Sequence, residues 1–358
     1  MSADSPASLF ADTPSADTRR TEAVALYTAF GAGILGAIYG FIVAVVARAQ
    51  QLDAVDGSFG LLAATGATVV AAVAAGVGFW LARTLPGQEW RQKLPSWKFT
   101  VNTISVVIVH AGLAFVMTYA LYRVLALGFI GIPVVPFWSV VLMAVTLGLT
   151  AWIVYLSVSR MTTQRMSSLL MMFIVVGTLT AMVTTPDPEW WKVHFSQLGT
   201  FGDLSSWVFN GTLIAGGLLV TTFGVYIAND MEALADRGVL TSPSGPRIVP
   251  ALFVVMGIML ACVGIFPVDV NLWLHNLSAS GMAVMFLALL IGGPKYFAGM
   301  PRTYFVASWT FLAATVISVV LFAVQYFSLT AFEIIVFALI FGWIAVFIRF
   351  LGVAGQRA

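Results

Sequence analysis

Charge is what this chain has least of. Of its 358 residues only 9% are Asp, Glu, Lys or Arg, while 60% are hydrophobic and the mean hydropathy is +0.98. A soluble domain is about 25% charged. So few charges cannot cover a water-facing surface of this size, but they suffice when most of the surface faces lipid. The net charge of +2 gives no basis for a nucleic-acid partner. A single cysteine, Cys262, excludes a disulfide framework and a Cys-rich metal site. No phosphate-binding loop, dinucleotide fingerprint, kinase motif, H-E-x-x-H or G-x-S-x-G occurs. No carboxylate falls near the middle of an apolar run, which weighs against an ion-coupled transporter. Residues 1–22 have no apolar core of signal-peptide length and read as a disordered cytoplasmic tail.

Long apolar runs are abundant. A membrane-spanning helix needs about 20 mostly apolar residues. Ten runs qualify, at 24–47, 58–82, 100–122, 137–158, 166–184, 206–228, 248–267, 271–292, 304–326 and 331–351. The expected fold is an all-α polytopic bundle of about ten transmembrane helices. Only Pro267–Val270 separates spans seven and eight, which demands a tight hairpin. With both ends placed in the cytoplasm, all of the 17 Lys and Arg residues except Arg48, Arg123 and Lys192 fall on the inner side. That asymmetry is the positive-inside rule, and one missed span would scramble it. Asp53, Asp56, Asp187, Glu189, Asp203, Asp269 and Glu333 then lie outside. The expected location is a bacterial plasma membrane, crossed many times.

Within the spans, Gly36 and Gly40 form a G-x-x-x-G, and Gly211, Gly216, Gly217 and Gly224 mark span six. Small faces let helices approach closely, and they leave room for a homo-oligomer or a membrane-protein partner. Tryptophans such as Trp97, Trp138, Trp191, Trp207 and Trp273 sit near span ends, as interfacial anchors do. The stretch RTLPGQEWRQKLPSWK reads as a basic cytoplasmic loop. NDMEALADRGVL reads as an extension of helix six, stopped by Gly238.

Polar residues gather at the outer ends of spans five to ten. Two connections there share an order. TPDPEWWKVHFSQLG carries Pro186, Asp187, Trp191, His194, Ser196 and Gly199. FPVDVNLWLHNLSASG carries Pro267, Asp269, Trp273, His275, Ser278 and Gly281. The order suggests a repeated helical hairpin, 166–228 and 248–292, inside a six-helix domain at 166–352. Residues 23–165 would form a separate four-helix part, and 353–358 a short tail. The chain has only three histidines, His110, His194 and His275. His194 and His275 are candidate acid–base groups, since imidazole titrates near neutral pH. They are also candidate ligands for zinc. Asp187, Asp203 and Asp269 are their candidate partners. Ser196, Asn210, Asn276, Ser278 and Glu333 are candidates for holding polar headgroup atoms. Ser205 or Ser206 could cap span six.

The segments HFSQLGTFGDLSSWVFNGTLIAGG and VGIFPVDVNLWLHNLSASG resemble a bacterial six-helix membrane family of unknown function. That family is loosely related to the DRAM/Frag/Sfk multi-pass group. The resemblance covers about residues 166–352 and implies lipid handling, because eukaryotic relatives are linked to GPI-lipid remodelling. Three functions follow as expectations. The first is a site near the outer leaflet that binds or modifies a membrane lipid or lipid-linked glycan. The others are a transporter or flippase, and a non-catalytic assembly or regulatory subunit. Whether the protein is an enzyme stays open.

Overall fold

The computed structural model describes residues 16–46, 50–52 and 57–356. Expectations that fall on residues 1–15, Arg48, Asp53, Asp56 and Arg357 lie outside this range. The described residues contain ten long helices: α1 (Ala16–Val46), α2 (Phe59–Ala82), α3 (Ser96–Gly128), α4 (Pro136–Ser159), α5 (Thr163–Thr184), α6 (Leu204–Asp236), α7 (Gly245–Ile265), α8 (Val268–Tyr296), α9 (Arg302–Ala323) and α10 (Leu329–Gln356). All ten are long and apolar enough to cross a membrane, so the protein is the expected all-α polytopic bundle. Large apolar side chains such as Ile34, Val73 and Val316 lie exposed along the helices, as lipid-facing residues must.

Several helices outrun their apolar spans. The tail expected over 1–22 is already helical from Ala16, and α6 continues to Asp236. Hydropathy marks where lipid begins, whereas intrahelical hydrogen bonding continues into water until something ends it. In α6 that ending is Gly238, at φ +73°, where the Val239 N–H returns to the Leu234 carbonyl at 2.9 Å. This is the left-handed C-terminal cap that glycine favours.

The chain divides into two compact units, residues 1–94 with 117–160 and residues 95–116 with 161–358. The expected parts are 23–165 and 166–352. Here 95–116, the first part of α3, groups with the later helices. Ser105 donates to the Leu218 carbonyl of α6 at 3.2 Å. Gly112 leaves room for the Phe173 ring of α5, which a Cβ would approach to 3.1 Å.

In the first unit α1 packs on α4 through Gly36 and Gly40. A Cβ on Gly40 would lie 2.4 Å from the Ser139 carbonyl oxygen, and the Ser139 hydroxyl donates to the Gly40 carbonyl at 2.8 Å. The G-x-x-x-G is thus a backbone-to-backbone seam. A short antiparallel ladder pairs β1 (Gln50–Gln51) with β2 (Pro133–Val134). Arg91, in the basic loop after α2, is not turned to solvent. It is buried, with its guanidinium 4.3 Å from the Phe79 ring centroid and one nitrogen donating to the Phe79 carbonyl at 3.4 Å.

In the second unit α6 packs between α5 and α7. A Cβ on Gly217 would meet the Gly257 carbonyl oxygen at 2.4 Å, so α6 and α7 cross at backbone contact. Aromatic rings of α7 and α10 fill one side: Trp343 stacks on Phe347 at 5.4 Å and on Phe253 at 6.3 Å. The turn from α7 to α8 contains only Phe266 and Pro267. After one turn of α8 the backbone breaks at Asn271 (φ −158°, ψ 92°). The Asn271 side chain then accepts the Leu274 N–H at 3.0 Å. Asn271 therefore caps the main part of α8, at the residue where the apolar run was expected to start.

Candidate functional site

Residues 185–203 join α5 to α6 without crossing back as a simple turn. Pro186 and Pro188 lack N–H donors and stop the helix. Asp187 Oδ1 accepts the Glu189 N–H at 2.8 Å, an Asx turn that starts a short 3-10 turn at Trp190–Lys192. Lys192 and Glu189 form an exposed ion pair at 2.5 Å, worth little in water. A second 3-10 turn, Phe195–Gly199, then packs on α6, α8 and α10.

Phe195 is the anchor. It is 6% exposed, with edge contacts to Phe209 of α6 at 5.1 Å and Phe337 of α10 at 5.7 Å. Burial of such a ring is worth about 2–3 kcal/mol. Its backbone N–H donates to Glu333 Oε2 of α10 at 2.5 Å. At the far end of the turn, Asn210 Nδ2 of α6 donates to the Gly199 carbonyl at 2.9 Å. A Cβ on Gly199 would lie 2.5 Å from Asn210 Oδ1, so a residue with no side chain is needed there. Asn210 and Glu333 bind the protein's own loop.

The anchored turn carries its neighbours to α8. Ser196 Oγ lies 3.0 Å from His275 Nε2. His275 Nδ1 lies 2.9 Å from the Phe266 carbonyl oxygen. A carbonyl only accepts, so Nδ1 carries a proton. In the neutral ring Nε2 is then the acceptor, and the Ser196 hydroxyl donates to it. His275 is buried, whereas Ser196 is half-buried. His194, on the other side of Phe195, interacts electrostatically with His275. Its Nδ1 is buried without a hydrogen-bond partner. Burial, and next the His275 ring, hold the His194 imidazole below its ordinary value of 6.5.

Other candidates have local duties. Asp203, not Ser205 or Ser206, is the N-cap of α6. Its carboxylate accepts the Ser206 N–H at 3.1 Å and both serine hydroxyls at 2.9 Å, and Ser206 bonds back to the Asp203 N–H. Asp suits this position because its carboxylate accepts an orphan N–H of the first turn and its charge complements the helix dipole there. Burial alone would raise Asp203, but these bonds outweigh it and hold the carboxyl below its usual range. Ser278 donates to the Leu274 carbonyl of its own helix at 2.7 Å. Asp269 and Asn276 are exposed on α8. His110 is buried in α3 and bonds the Val106 carbonyl one turn back at 2.8 Å.

The structure therefore brings together His194, Ser196, His275 and Glu333, and fastens Asn210 beside them. Among the described residues no group of three or more His, Cys, Asp and Glu converges in the manner of metal ligands. Two members of the site carry no sequence signal of their own. The Phe266 carbonyl is a backbone group, and Phe195 looks like any other apolar residue.

Helix count, hydropathy and lipid-facing surface define the class: a multi-pass integral membrane protein. Within it, the chain belongs to the family described as "Protein of unknown function (DUF998)", which matches residues 168–349. The match runs from α5 to α10 and contains every member of the cluster. No curated protein and no solved structure matches the chain.

Proposed function

We propose that the protein binds or modifies a lipid or lipid-linked glycan whose polar part enters beside the 185–203 connection, at the outer leaflet of the plasma membrane. The observation that carries this reading is the cluster of His194, Ser196, His275 and Glu333 where helices α6, α8 and α10 begin. Exposed Trp191, Trp207 and Trp273 lie on the same segments, at the depth where indole rings meet headgroups. The outer side follows from the distribution of Lys and Arg. Zinc at His194 and His275 is a less supported form of this reading, because the metal would have to take Nε2 from Ser196.

Purification into nanodiscs with native lipid, followed by mass spectrometry of the extracted lipids, tests the reading. A specific lipid should accompany the wild type and fall at least several-fold in His194→Ala and His275→Ala. Unchanged bound lipid and unchanged cellular lipid composition in both variants would sink it.

A transporter is the second reading. It is favoured by polar atoms buried within the spans: Asn102 Nδ2 of α3 and Thr222 Oγ1 of α6 are 2% and 0% exposed residues whose polar atoms lack partners. Movement of a labelled lipid across vesicles holding the protein, absent in empty vesicles, would favour it.

A further inference from the structure

We propose that Ser196 is a nucleophile activated by His275, and that its substrate is the carboxylic ester of an acyl lipid. This deepens the preceding reading and rests on it for the lipid. Three observations carry it. Ser196 Oγ and His275 Nε2 are in hydrogen-bond contact at 3.0 Å. A third group, the Phe266 carbonyl, holds Nδ1 at 2.9 Å and so presents Nε2 as the base. The base is buried, whereas Ser196 is half-buried. Nucleophile, base and orienting acceptor are the parts that activated serines share across unrelated folds. A sequence motif is not required, because the three come from separate segments.

The surroundings narrow the substrate. Ser196 lies in a turn whose neighbours Trp191 and Val193 are exposed and apolar. In a bilayer the ester groups of glycerolipids lie at the boundary between hydrocarbon and headgroups, where tryptophan also collects. An ester carbonyl at that boundary is also the group that an activated serine attacks, which makes the proposed substrate an ester. Glu333, by accepting the Phe195 N–H, fixes the backbone between His194 and Ser196. It is a positioning residue.

The steps balance without a co-reactant other than water. The Ser196 hydroxyl gives its proton to His275 Nε2 as Oγ attacks the ester carbonyl carbon. The tetrahedral intermediate collapses, its bond to the alkoxy oxygen breaks, and the leaving alcohol takes the proton from Nε2. An acyl group then sits on Ser196. Water, losing a proton to Nε2, attacks that acyl carbon. Collapse releases the carboxylic acid and returns the proton to Oγ. A hydroxyl on a second lipid in place of water would make the reaction an acyl transfer. The proton on His275 Nδ1 stays there throughout, hydrogen-bonded to the Phe266 carbonyl. A carbonyl stabilises the imidazolium less than a carboxylate does, so turnover should be slow.

A fluorophosphonate probe, which phosphonylates activated serines, tests this on the full-length protein in nanodiscs. Tandem mass spectrometry should place the adduct on Ser196 of the wild type. Labelling should vanish in Ser196→Ala and slow about 100-fold in His275→Gln, the general-base contribution. The wild-type adduct needs no variant to fold. No adduct on Ser196, or equal labelling rates with and without His275, overturns the proposal. Loss of bound lipid in the histidine variants alongside an unlabelled Ser196 would leave lipid binding standing and remove the nucleophile. A labelled Ser196 with bound lipid unchanged in those variants would do the reverse.

Discussion

The two connections of the second unit carry Pro, Asp, Trp, His, Ser and Gly in the same order, yet the chain uses them differently. Between α7 and α8 only Phe266 and Pro267 intervene, and the motif is drawn into the start of α8. There Ser278 bonds its own helix, and a Cβ on Gly281 would meet only the flexible side chain of Met259, at 3.0 Å. Between α5 and α6 the longer segment 185–203 folds back. Its Ser196 reaches His275, and its Gly199 lies against Asn210. One connection is a helix start that supplies a histidine. The other is a fastened loop that supplies that histidine's partner. The same residue types acquire different chemistry because helical hydrogen bonding absorbs a serine that a loop leaves free.

The largest test of this asymmetry is Glu333→Ala. It leaves the buried Phe195 N–H without an acceptor, at a cost of about 2–3 kcal/mol. Hydrogen exchange should rise across 190–200 and stay unchanged across 266–274. Equal rises in both segments would mean that the loop is not separately fastened. Glu333→Gln, which keeps an acceptor oxygen, should show a smaller effect.

The paired glycines come next. Gly199→Ala forces the Asn210 amide aside and should destabilise by about 1–2 kcal/mol. Gly281→Ala meets only a thioether that can move, and alanine is the better helix former. It should be neutral or slightly stabilising in thermal unfolding. A similar loss in both would restore the symmetry of the two motifs.

The smallest effect is on pH dependence. His194 is held below its ordinary 6.5, so the folded state disfavours its charged form. Its contribution is present above pH 6.5 and is lost as pH falls from there toward the folded value, because the unfolded chain binds the proton first. The melting temperature should decline over that window, and His194→Gln should flatten the decline. An identical slope in wild type and variant would show that the loop's histidine does not sense its burial.

Legibility differed between fold and site for a physical reason. The ten spans could be read directly, because a bilayer demands long apolar helices and punishes anything else. The pairing of His194 and His275 with residues near them was legible as residue types only. Asp187, Asp203 and Asp269 matched the types expected beside a histidine. Even so, Asp187 closes an Asx turn, Asp203 caps α6 and Asp269 lies exposed. A carboxylate at a helix start has a nearby backbone donor whatever lies farther off, and sequence order alone cannot weigh the two.

By itself the sequence determined the class, the number of helices, the glycine seam at Gly36 and Gly40, and the polar end of the bundle. These depend on local composition and on the solvent, which every residue meets independently. Only the tertiary structure decided that Ser196 is the partner of His275, that a backbone carbonyl orients the ring, and that Glu333 holds the loop. The first and last of those contacts join residues 79 and 138 positions apart. They exist because Phe195 must be buried among α6 and α10, and that burial carries the residues on either side of it into place.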